Sequence, residues 1–222
     1  MIFEDLGLVD YEKAWKIQES YLQEIITAKS ADRAAPPSGH FLFCEHPHVY
    51  TLGKSGEKTN LLIDPNFLKA INAVFYRIDR GGDITYHGPG QLVGYPIIDL
   101  EQTKMGIRSY IHLLEECIIL ALKDFKITAE RMQDATGVWL DASIFGKTRK
   151  ICAIGVRVSR NVTMHGFALN INTDLNYFNY INPCGFSDKG VTSMTQELGK
   201  KADMQEVKES VKNHFSKLLN LV

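Results

Sequence analysis

The sequence contains one stretch, Arg80-Gly81-Gly82-Asp83-Ile84-Thr85-Tyr86-His87-Gly88-Pro89-Gly90-Gln91, that places four glycines, a proline, an arginine and a histidine within twelve residues. An apolar run, residues 73–76, precedes it, and a second, residues 92–100, follows it. Glycine adopts backbone conformations that other residues avoid and lets another molecule approach the chain closely. A polar, glycine-rich loop between apolar runs is typical of a binding loop. We therefore expect this stretch to form one wall of a binding site.

Hydrophobic spacing outside this stretch predicts a mixture of helices and strands. Helices are expected at residues 10–28, 107–125 and 203–221, with a short one after Pro65. The predicted strands are residues 41–44, 48–52, 73–76, 92–99, 138–140, 150–159 and 162–171. Arg160-Asn161 is expected to form a tight hairpin turn. Helices near both ends with strands between them indicate a mixed α/β or α+β fold, and no linker divides residues 1–222, so a single domain is expected.

The composition restricts the class of protein. A chain of 222 residues with 45% hydrophobic residues can bury one large core, and a net charge of −1 gives no reason to expect nucleic acid or a membrane surface as a partner. No run reaches the roughly 18 apolar residues needed to span a bilayer. The N-terminus lacks the pattern of a signal peptide, and the four cysteines form no Cys-x-x-Cys pair. Reduced thiols and a cytoplasmic protein are therefore expected.

Two patterns resemble ligand sites but are incomplete. Gly53-Lys54-Ser55 would end a phosphate-binding loop, but the glycine required five residues earlier is replaced by His48. Cys44, His46 and His48 would share one side of a strand, but no second cluster completes four metal ligands. We expect neither a nucleotide nor a metal.

Lys150 begins a predicted strand in which the alternate residues are Cys152, Ile154, Val156 and Val158. In a regular strand Lys150 would share their apolar face. Apolar surroundings disfavour the ammonium and lower a lysine's pKa, which makes the amine a usable base near neutrality. The alternative is that Lys150 lies at the strand's edge and extends its amine to water.

Cys184 lies in Asn182-Pro183-Cys184-Gly185-Phe186, a tight turn, whereas Cys117 and Cys152 lie in apolar segments and are expected to be inert. A loop thiol becomes a nucleophile when a nearby cation stabilises its thiolate. The sequence by itself leaves open whether Cys184 is a nucleophile or an ordinary loop thiol. His87 and His165 each precede a glycine, and each is either a site residue or a buried histidine held by a hydrogen bond.

Four segments in order closely resemble the lipoyl(octanoyl) transferases. They are the glycine-rich stretch from Arg80 to Gln91 and residues 150–157, 165–172 and 181–185, and Tyr50-Thr51-Leu52-Gly53 also fits. A single glycine-rich loop would be weak support, but four ordered motifs that span most of the chain are specific.

The resemblance implies the fold shared by biotin and lipoate protein ligases, a mixed sheet flanked by helices. It implies transfer of an octanoyl group from acyl carrier protein to a lysine of lipoyl domains of 2-oxoacid dehydrogenases and of the glycine-cleavage H protein. It makes Cys184 the nucleophile and Lys150 its acid/base partner. The acyl site would be lined by Arg80, Gly81, Gly82, Asp83, Ile84, Thr85, Tyr86, His87, Ala153, Ile154, Gly155, Gly166, Phe167 and Ala168.

The expected mechanism replaces one thioester by another, so neither ATP nor a metal cofactor is expected, and a monomer is the expected state. The small residues Gly82, Gly155, Gly166 and Ala168 are expected to leave room for the acyl chain. Two alternatives remain. One is an ATP-dependent lipoate protein ligase of the same fold, and the other is a non-catalytic protein that binds acyl carrier protein.

Overall fold

The computed structural model describes residues 1–30, 39–182 and 189–220. Within these ranges the helices are α1 (Tyr11–Ser30), α2 (Pro65–Ala70), α3 (Ile107–Asp124), α4 (Met194–Leu198) and α5 (Met204–Leu219), with 3₁₀ turns at Lys58–Asn60 and Leu175–Tyr180. The strands there are β1 (Ile2–Leu8), β2 (His40–Glu45), β3 (Val49–Leu52), β4 (Val74–Arg77), β5 (Ile84–His87), β6 (Gln91–Ile97), β7 (Glu130–Met132), β8 (Ala135–Leu140), β9 (Arg149–Ser159), β10 (Val162–Asn170) and β11 (Gly190–Val191).

The strands of the described residues form two sheets. The larger has the order β1-β2-β6-β10-β9-β8-β7, and the smaller has the order β4-β3-β5. Most pairs in the larger sheet are antiparallel, but β1 runs parallel to β2. The short strand β11 runs parallel to the first two residues of β9, along the edge that β10 leaves unpaired. The expected mixed sheet is confirmed.

Helices cover both faces of the larger sheet. On one face α3 and α5 pack over Phe41, Phe167 and Leu169, with Phe215 of α5 fully buried against Phe41. On the other face α1 contributes Ala14, Leu22, Ile25 and Ile26 to a second apolar cluster. Each of these helices buries one apolar stripe, as hydrophobic spacing predicts. The larger sheet is therefore a middle layer, and each of its two faces is covered by its own helices.

Local sequence signals explain several boundaries. Asp203 caps α5 by accepting hydrogen bonds from the backbone N–H groups of Gln205 and Glu206. Arg160 and Asn161 both have positive φ, 49° and 63°, which is the conformation of a two-residue hairpin turn with the favoured twist. The predicted hairpin between β9 and β10 is thus confirmed.

The glycine-rich stretch is not a loop throughout, which corrects the prediction. Ile84–His87 forms β5, antiparallel to β3, with Ile84 opposite Leu52 and His87 opposite Val49. Isoleucine, threonine and tyrosine favour strands, and the glycines of the stretch lie outside these four residues. The stretch is therefore a strand of the smaller sheet flanked by two glycine-rich turns.

The strand β1, the short strands β7 and β11, and the short helix α4 were not predicted either. No helix of the described residues is long and apolar enough to cross a membrane.

Candidate active site

A cavity of about 390 Å³ lies between the smaller sheet and the β9–β10 hairpin. Most of the predicted acyl-site residues line it, together with Lys150: Arg80, Gly82, Asp83, Ile84, Thr85, His87, Ala153, Ile154, Gly155, Gly166, Phe167 and Ala168. Its volume lies within the usual range for small-molecule pockets, about 300–1,000 Å³. Three segments distant in sequence are thus brought to one concave surface.

Gly81 and Tyr86 are not among the lining residues, which corrects their predicted place. Tyr86 is fully buried in an aromatic cluster, where its ring stacks on Tyr177 at 4.9 Å between centroids. Its hydroxyl lies 2.7 Å from His48 Nδ1. Thr85 and His87 alternate with it along β5, so they face the cavity while Tyr86 faces away. The Gly81 N–H donates to the Val156 carbonyl at 2.9 Å and joins the turn to β9.

Backbone contact, more than free space, explains two of the glycines. A Cβ on Gly155 would lie 2.8 Å from the Gly81 oxygen, and one on Gly166 would lie 2.2 Å from the Gly94 oxygen. Both positions therefore require glycine so that neighbouring backbone can approach. Gly155 and Gly166 also line the cavity, so the expectation that they leave room for the acyl chain stays a prediction.

Arg80 is buried beneath the first turn of the stretch. Its Nη2 donates to the carbonyl and the hydroxyl oxygens of Thr51, at 2.8 and 3.1 Å, and its Nη1 donates to the Gly81 carbonyl at 3.0 Å. These charge-assisted bonds hold the turn in a fixed place. They also place a permanent positive charge at the cavity wall.

A chain of buried hydrogen bonds runs from Thr51 across the cavity floor. Gln91 Nε2 donates to the Asn170 side-chain oxygen at 2.9 Å, and Asn170 Nδ2 donates to the Thr192 carbonyl at 3.0 Å. Gln91 Oε1 therefore accepts from His87 Nδ1 at 2.9 Å, which leaves His87 Nε2 to accept from the Thr51 hydroxyl at 3.3 Å. Burial holds the pKa of His87 well below its usual range, so this ring is neutral.

His165, also at the cavity wall, is oriented by acidic and basic neighbours. Its Nε2 lies 3.0 Å from Asp79 Oδ1, and Asp79 Oδ2 lies 2.6 Å from Arg157. Burial lowers the pKa of His165, and the hydrogen bond from His165 lowers the pKa of Asp79. His165 also has a positive φ of 60°, which is uncommon for a residue within a strand.

Lys150 reaches the cavity from the second residue of β9 and is neither fully buried nor exposed. Its Nζ lies 4.4 Å from the centroid of the Trp139 ring, which belongs to the partner strand β8. The sequence allowed two alternatives for this amine, apolar surroundings or extension into water. Neither describes it completely, since the amine lies against an aromatic face at the cavity wall.

Cys184, the predicted nucleophile, lies outside the described residues. The described residues on either side of its segment are connected to the site. The Asn182 N–H donates to the Asn60 carbonyl at 2.9 Å, and Asn60 Nδ2 donates to the lining residue Asp83. On the other side, Lys189 lines the cavity, and Val191 of β11 is paired with Lys150.

The remaining cysteines, Cys44, Cys117 and Cys152, are buried, and burial raises the pKa of each thiol. Cys117 and Cys152 are thus the packing residues that were predicted. His46 is held by protein groups: its Nδ1 lies 2.7 Å from the Val9 carbonyl and its Nε2 lies 2.8 Å from the Tyr95 hydroxyl. Among the described residues no group of three or more His, Cys, Asp or Glu side chains could hold a metal ion.

Sequence reasoning missed several lining residues, chiefly Tyr11, Tyr95, Trp139, Asn170 and Phe178. Tyr11 comes from a helix and Phe178 from a 3₁₀ turn, and nothing in their local sequence indicates a ligand. Trp139 faces Lys150 across the β8–β9 pair, but the pair's register shifts at Val138/Trp139, so counting residues does not reveal it. Asn170 differs from these residues, because a polar residue in an otherwise apolar strand is a local sign of a binding site.

The fold is one shared with proteins solved as lipoate protein ligases and biotin protein ligases. A bipartite lipoate protein ligase from Thermoplasma acidophilum, studied together with its E2 lipoyl domain, superimposes with a TM-score of 0.71 at 15% identity over 99% of this chain and 83% of that one. A biotin protein ligase from Aquifex aeolicus gives 0.58 at 15% identity, over 99% and 69%. At these identities the likeness establishes the fold alone.

Residues 10–216 match the lipoyl protein ligase A/B catalytic domain, and the chain belongs to that family. It is 52% identical to an octanoyltransferase of Bacteroides thetaiotaomicron over 97% of this chain and 94% of that protein. The expected family, fold and enzyme class are therefore confirmed: the chain is an acyltransferase.

Proposed function

We propose that this enzyme moves an octanoyl group from acyl carrier protein to a lysine of a lipoyl domain, through a thioester on Cys184, with Lys150 as the acid/base partner. Octanoyl transfer in lipoate biosynthesis is confirmed by octanoyltransferases that match 92–100% of the chain. The route through Cys184 and Lys150 is our proposal. The observation that carries it is a cavity with Lys150 in its wall and both described neighbours of the Cys184 segment connected to that wall.

The cavity suits a medium-length acyl chain. Val93 and Ala168 line it and belong to the apolar cluster on the α1 face of the sheet, and Ile84, Ile154 and Phe167 are among its lining residues too. Burying an octanoyl tail would contribute about 5 kcal/mol if each methylene contributes about 0.8 kcal/mol. The buried polar groups that also face the cavity, His87, Gln91 and Asn170, are already paired with each other, so an apolar ligand leaves them satisfied.

In the first half-reaction Lys150 takes the proton of the Cys184 thiol, and the thiolate attacks the carbonyl carbon of the carrier's thioester. The new carbon–sulfur bond forms as the bond to the carrier's sulfur breaks. The carrier thiolate leaves and is protonated by the Lys150 ammonium. Backbone N–H groups in the glycine-rich turns are candidates to stabilise the oxyanion of the tetrahedral intermediate.

In the second half-reaction the amine of the acceptor lysine attacks the Cys184 thioester. Lys150, now neutral, takes the proton that the amine loses, and the Cys184 thiolate leaves. An amide replaces a thioester, which is downhill, so the second step draws the first forward. The net reaction converts an acyl thioester and an amine into an amide and a thiol, without ATP.

The expected substrates are octanoyl-acyl carrier protein, the lipoyl domains of 2-oxoacid dehydrogenases and the glycine-cleavage H protein. That a lipoyl domain is an acceptor is supported by the Thermoplasma ligase, which was studied together with its E2 lipoyl domain. A single domain over residues 1–222, a monomeric state, a cytoplasmic location and independence of metals remain predictions.

The thioester is tested by intact-protein mass spectrometry after mixing with octanoyl-acyl carrier protein in the absence of an acceptor. We expect one added octanoyl group, located on Cys184, and none in a Cys184→Ser variant. Cys117→Ala is the matched control, since Cys117 is buried between α3 and α5, and it should still gain one group. Absence of any adduct in the wild type would overturn the proposed route through a Cys184 thioester.

The ligase alternative is tested by changing the acyl source. Octanoate with ATP and a lipoyl domain, but without acyl carrier protein, should give no octanoylated product. Product formed under those conditions, or full carrier-dependent transfer by Cys184→Ser, would overturn the proposed route.

A further inference from the structure

Trp139 is an aromatic residue that contacts Lys150 in the cavity wall, and its ring is held firmly. It is 2% exposed, and its Nε1 donates to the Ala135 carbonyl at 2.9 Å. Trp139 is also paired with Lys150 in the β8–β9 register, next to the shift at Val138/Trp139. Burial, a hydrogen bond and strand pairing therefore fix the orientation of the indole.

The lysine side chain passes over a residue that has no side chain. A Cβ on Gly137 would lie 3.4 Å from Lys150 Cε and 2.6 Å from the Cys152 oxygen, and Gly137 has a φ of 124°. The Lys150 stem thus lies close to the Gly137 backbone, and its Nζ comes 4.4 Å from the indole centroid. A cation within about 6 Å of the ring centroid is attracted by the negative aromatic face.

We infer that Trp139 is a positioning residue that holds the Lys150 amine at the cavity wall in its ammonium form. This inference rests on the proposed role of Lys150 as the proton partner of Cys184. An ammonium stabilised by the indole favours the ion pair in which the thiol proton has already moved to Lys150. The thiolate is the nucleophilic form of a cysteine, so the indole acts on the reaction through Lys150.

Other ionisable groups near Lys150 also influence it. Among the residues that the structure describes, those that share the cavity with it are Arg80, Asp83, Asp134, Lys189, His87, His165, Tyr11 and Tyr95. Behind the cavity, the positive charge of Lys150 partly offsets the rise that burial causes in the pKa of Cys152 in β9. Glu115 of α3 accepts a hydrogen bond from the Gly137 N–H. Arg149 pairs with Asp141 and Glu197, so its charge is compensated locally. None of these groups is altered in the test below.

The test compares Trp139→Phe and Trp139→Leu with Phe215→Leu. The first variant keeps an aromatic face, the second removes it, and the third removes a buried aromatic ring that packs against Phe41 on the opposite face of the sheet. For each protein, the Lys150 amine is labelled competitively with an acetylating reagent across a pH series and quantified by mass spectrometry. Transfer is measured as separate kcat and KM values.

We expect Trp139→Leu to move the midpoint pH of Lys150 labelling down by about one unit, which corresponds to a loss of about 1.4 kcal/mol of cation–π stabilisation. Its kcat should fall about tenfold, with KM for the carrier substrate within about twofold. Trp139→Phe should keep most of both properties, and Phe215→Leu should leave the labelling midpoint unchanged.

An unchanged midpoint in Trp139→Leu would overturn the inference and reduce Trp139 to a packing residue. An equal shift in Phe215→Leu would overturn it as well, since the effect would then follow from loss of any core aromatic. If Trp139→Leu does not fold, Trp139→Met, which also removes the aromatic face but has a longer and more flexible side chain, supplies the same comparison. Failure of the proposed function is separate, because it is read from the missing Cys184 adduct, whereas labelling reports the Trp139–Lys150 contact directly.

Discussion

Lys150 and Lys147 are three residues apart, but only Lys150 lies in the cavity wall, while Lys147 is exposed in the turn before β9. The two lysines therefore form a natural pair for separating the effect of a reactive amine from that of a positive charge nearby. Their neighbour Arg149 is held by Asp141 and Glu197 and fixes the start of the strand.

We expect Lys150→Met to lower the rate of octanoyl transfer at least 100-fold, since general acid–base catalysis contributes about 10²–10⁴. The methionine keeps the length of the side chain, so the thermal unfolding midpoint should change little. Lys147→Met should keep nearly full activity. Steady-state transfer to a lipoyl domain measures both. A Lys150→Met enzyme with more than about a tenth of wild-type activity would contradict the role of its amine.

His46 provides a prediction about pH and stability. Burial lowers its pKa to about 4, while the unfolded chain has an ordinary histidine near 6.5. Below about pH 6.5 the unfolded state binds a proton that the folded state does not, so stability is full at neutral pH and falls as the pH falls. Between pH 7 and pH 5 this costs about 2 kcal/mol of the unfolding free energy.

Urea unfolding at pH 7 and pH 5 tests this. His46→Gln removes the titrating group, and its loss of stability between the two pH values should be smaller than that of the wild type by about 2 kcal/mol. His112→Gln is the comparison, since the His112 side chain is 58% exposed on α3 and pairs with Glu115, and its pH difference should stay closer to the wild-type value than that of His46→Gln. Equal pH differences in all three proteins would show that His46 does not carry the effect.

At the scale of elements, the contact between the first glycine-rich turn and β9 determines the shape of the cavity. We expect Gly155→Ala to force the Gly81 carbonyl and the Arg80 side chain away from β9, since its Cβ would lie 2.8 Å from one and 3.1 Å from the other. Crowding of this kind typically costs about 1–3 kcal/mol, and transfer should fall more than tenfold.

Chemical unfolding and steady-state transfer measure this change. Gly106→Ala is the control, since a Cβ there would meet nothing within 4 Å and its φ of −81° suits any residue. It should lose about 1 kcal/mol or less and keep its activity. Equal losses in both variants would show that the turn is not held by close backbone contact.

The sequence predicted those elements whose hydrophobic spacing is long and regular. α1, α3 and α5 and the β9–β10 pair lie within a few residues of their predicted ends. Ile84–His87 was hidden because it lies among glycines and polar residues, and its strand partner β3 is far away in the chain. The site residues divide in the same way, between those with a local sequence pattern and those brought in by tertiary packing. Lys150 and the segments of β9 and β10 could be found, but the residues that meet them from other elements, such as Trp139 and Tyr11, depend on tertiary packing.

For the whole molecule, the larger sheet has two apolar clusters, one on each face, and a third lies under the smaller sheet. The strands of the larger sheet contribute to both of its clusters, since alternate residues of β2 and β6 point to opposite faces. Unfolding of the apolar cluster on one face therefore disrupts the strands that also form the cluster on the other face. We expect residues 1–222 to unfold as one cooperative unit.

The two tryptophans allow cooperative unfolding to be tested, since Trp15 reports on α1 and Trp139 reports on β8. We expect the Trp15→Phe and Trp139→Phe variants, each with one remaining fluorescent reporter, to give the same urea midpoint by fluorescence as by circular dichroism. In contrast, a fluorescence midpoint that differs from the circular dichroism midpoint of the same variant would divide the chain into separately unfolding parts.

The β9–β10 hairpin joins its strands through only two residues, Arg160 and Asn161, and yet it carries Lys150, residues 153–155 and residues 165–168 of the cavity wall. Contacts between residues that are close in sequence form quickly during folding. Contacts between distant segments form later, because closing the longer loop between them costs more chain entropy. The Gly81–Val156 hydrogen bond is of the second kind. We therefore expect a nascent chain to form this half of the wall early and to acquire an enclosed cavity only when the glycine-rich turn docks.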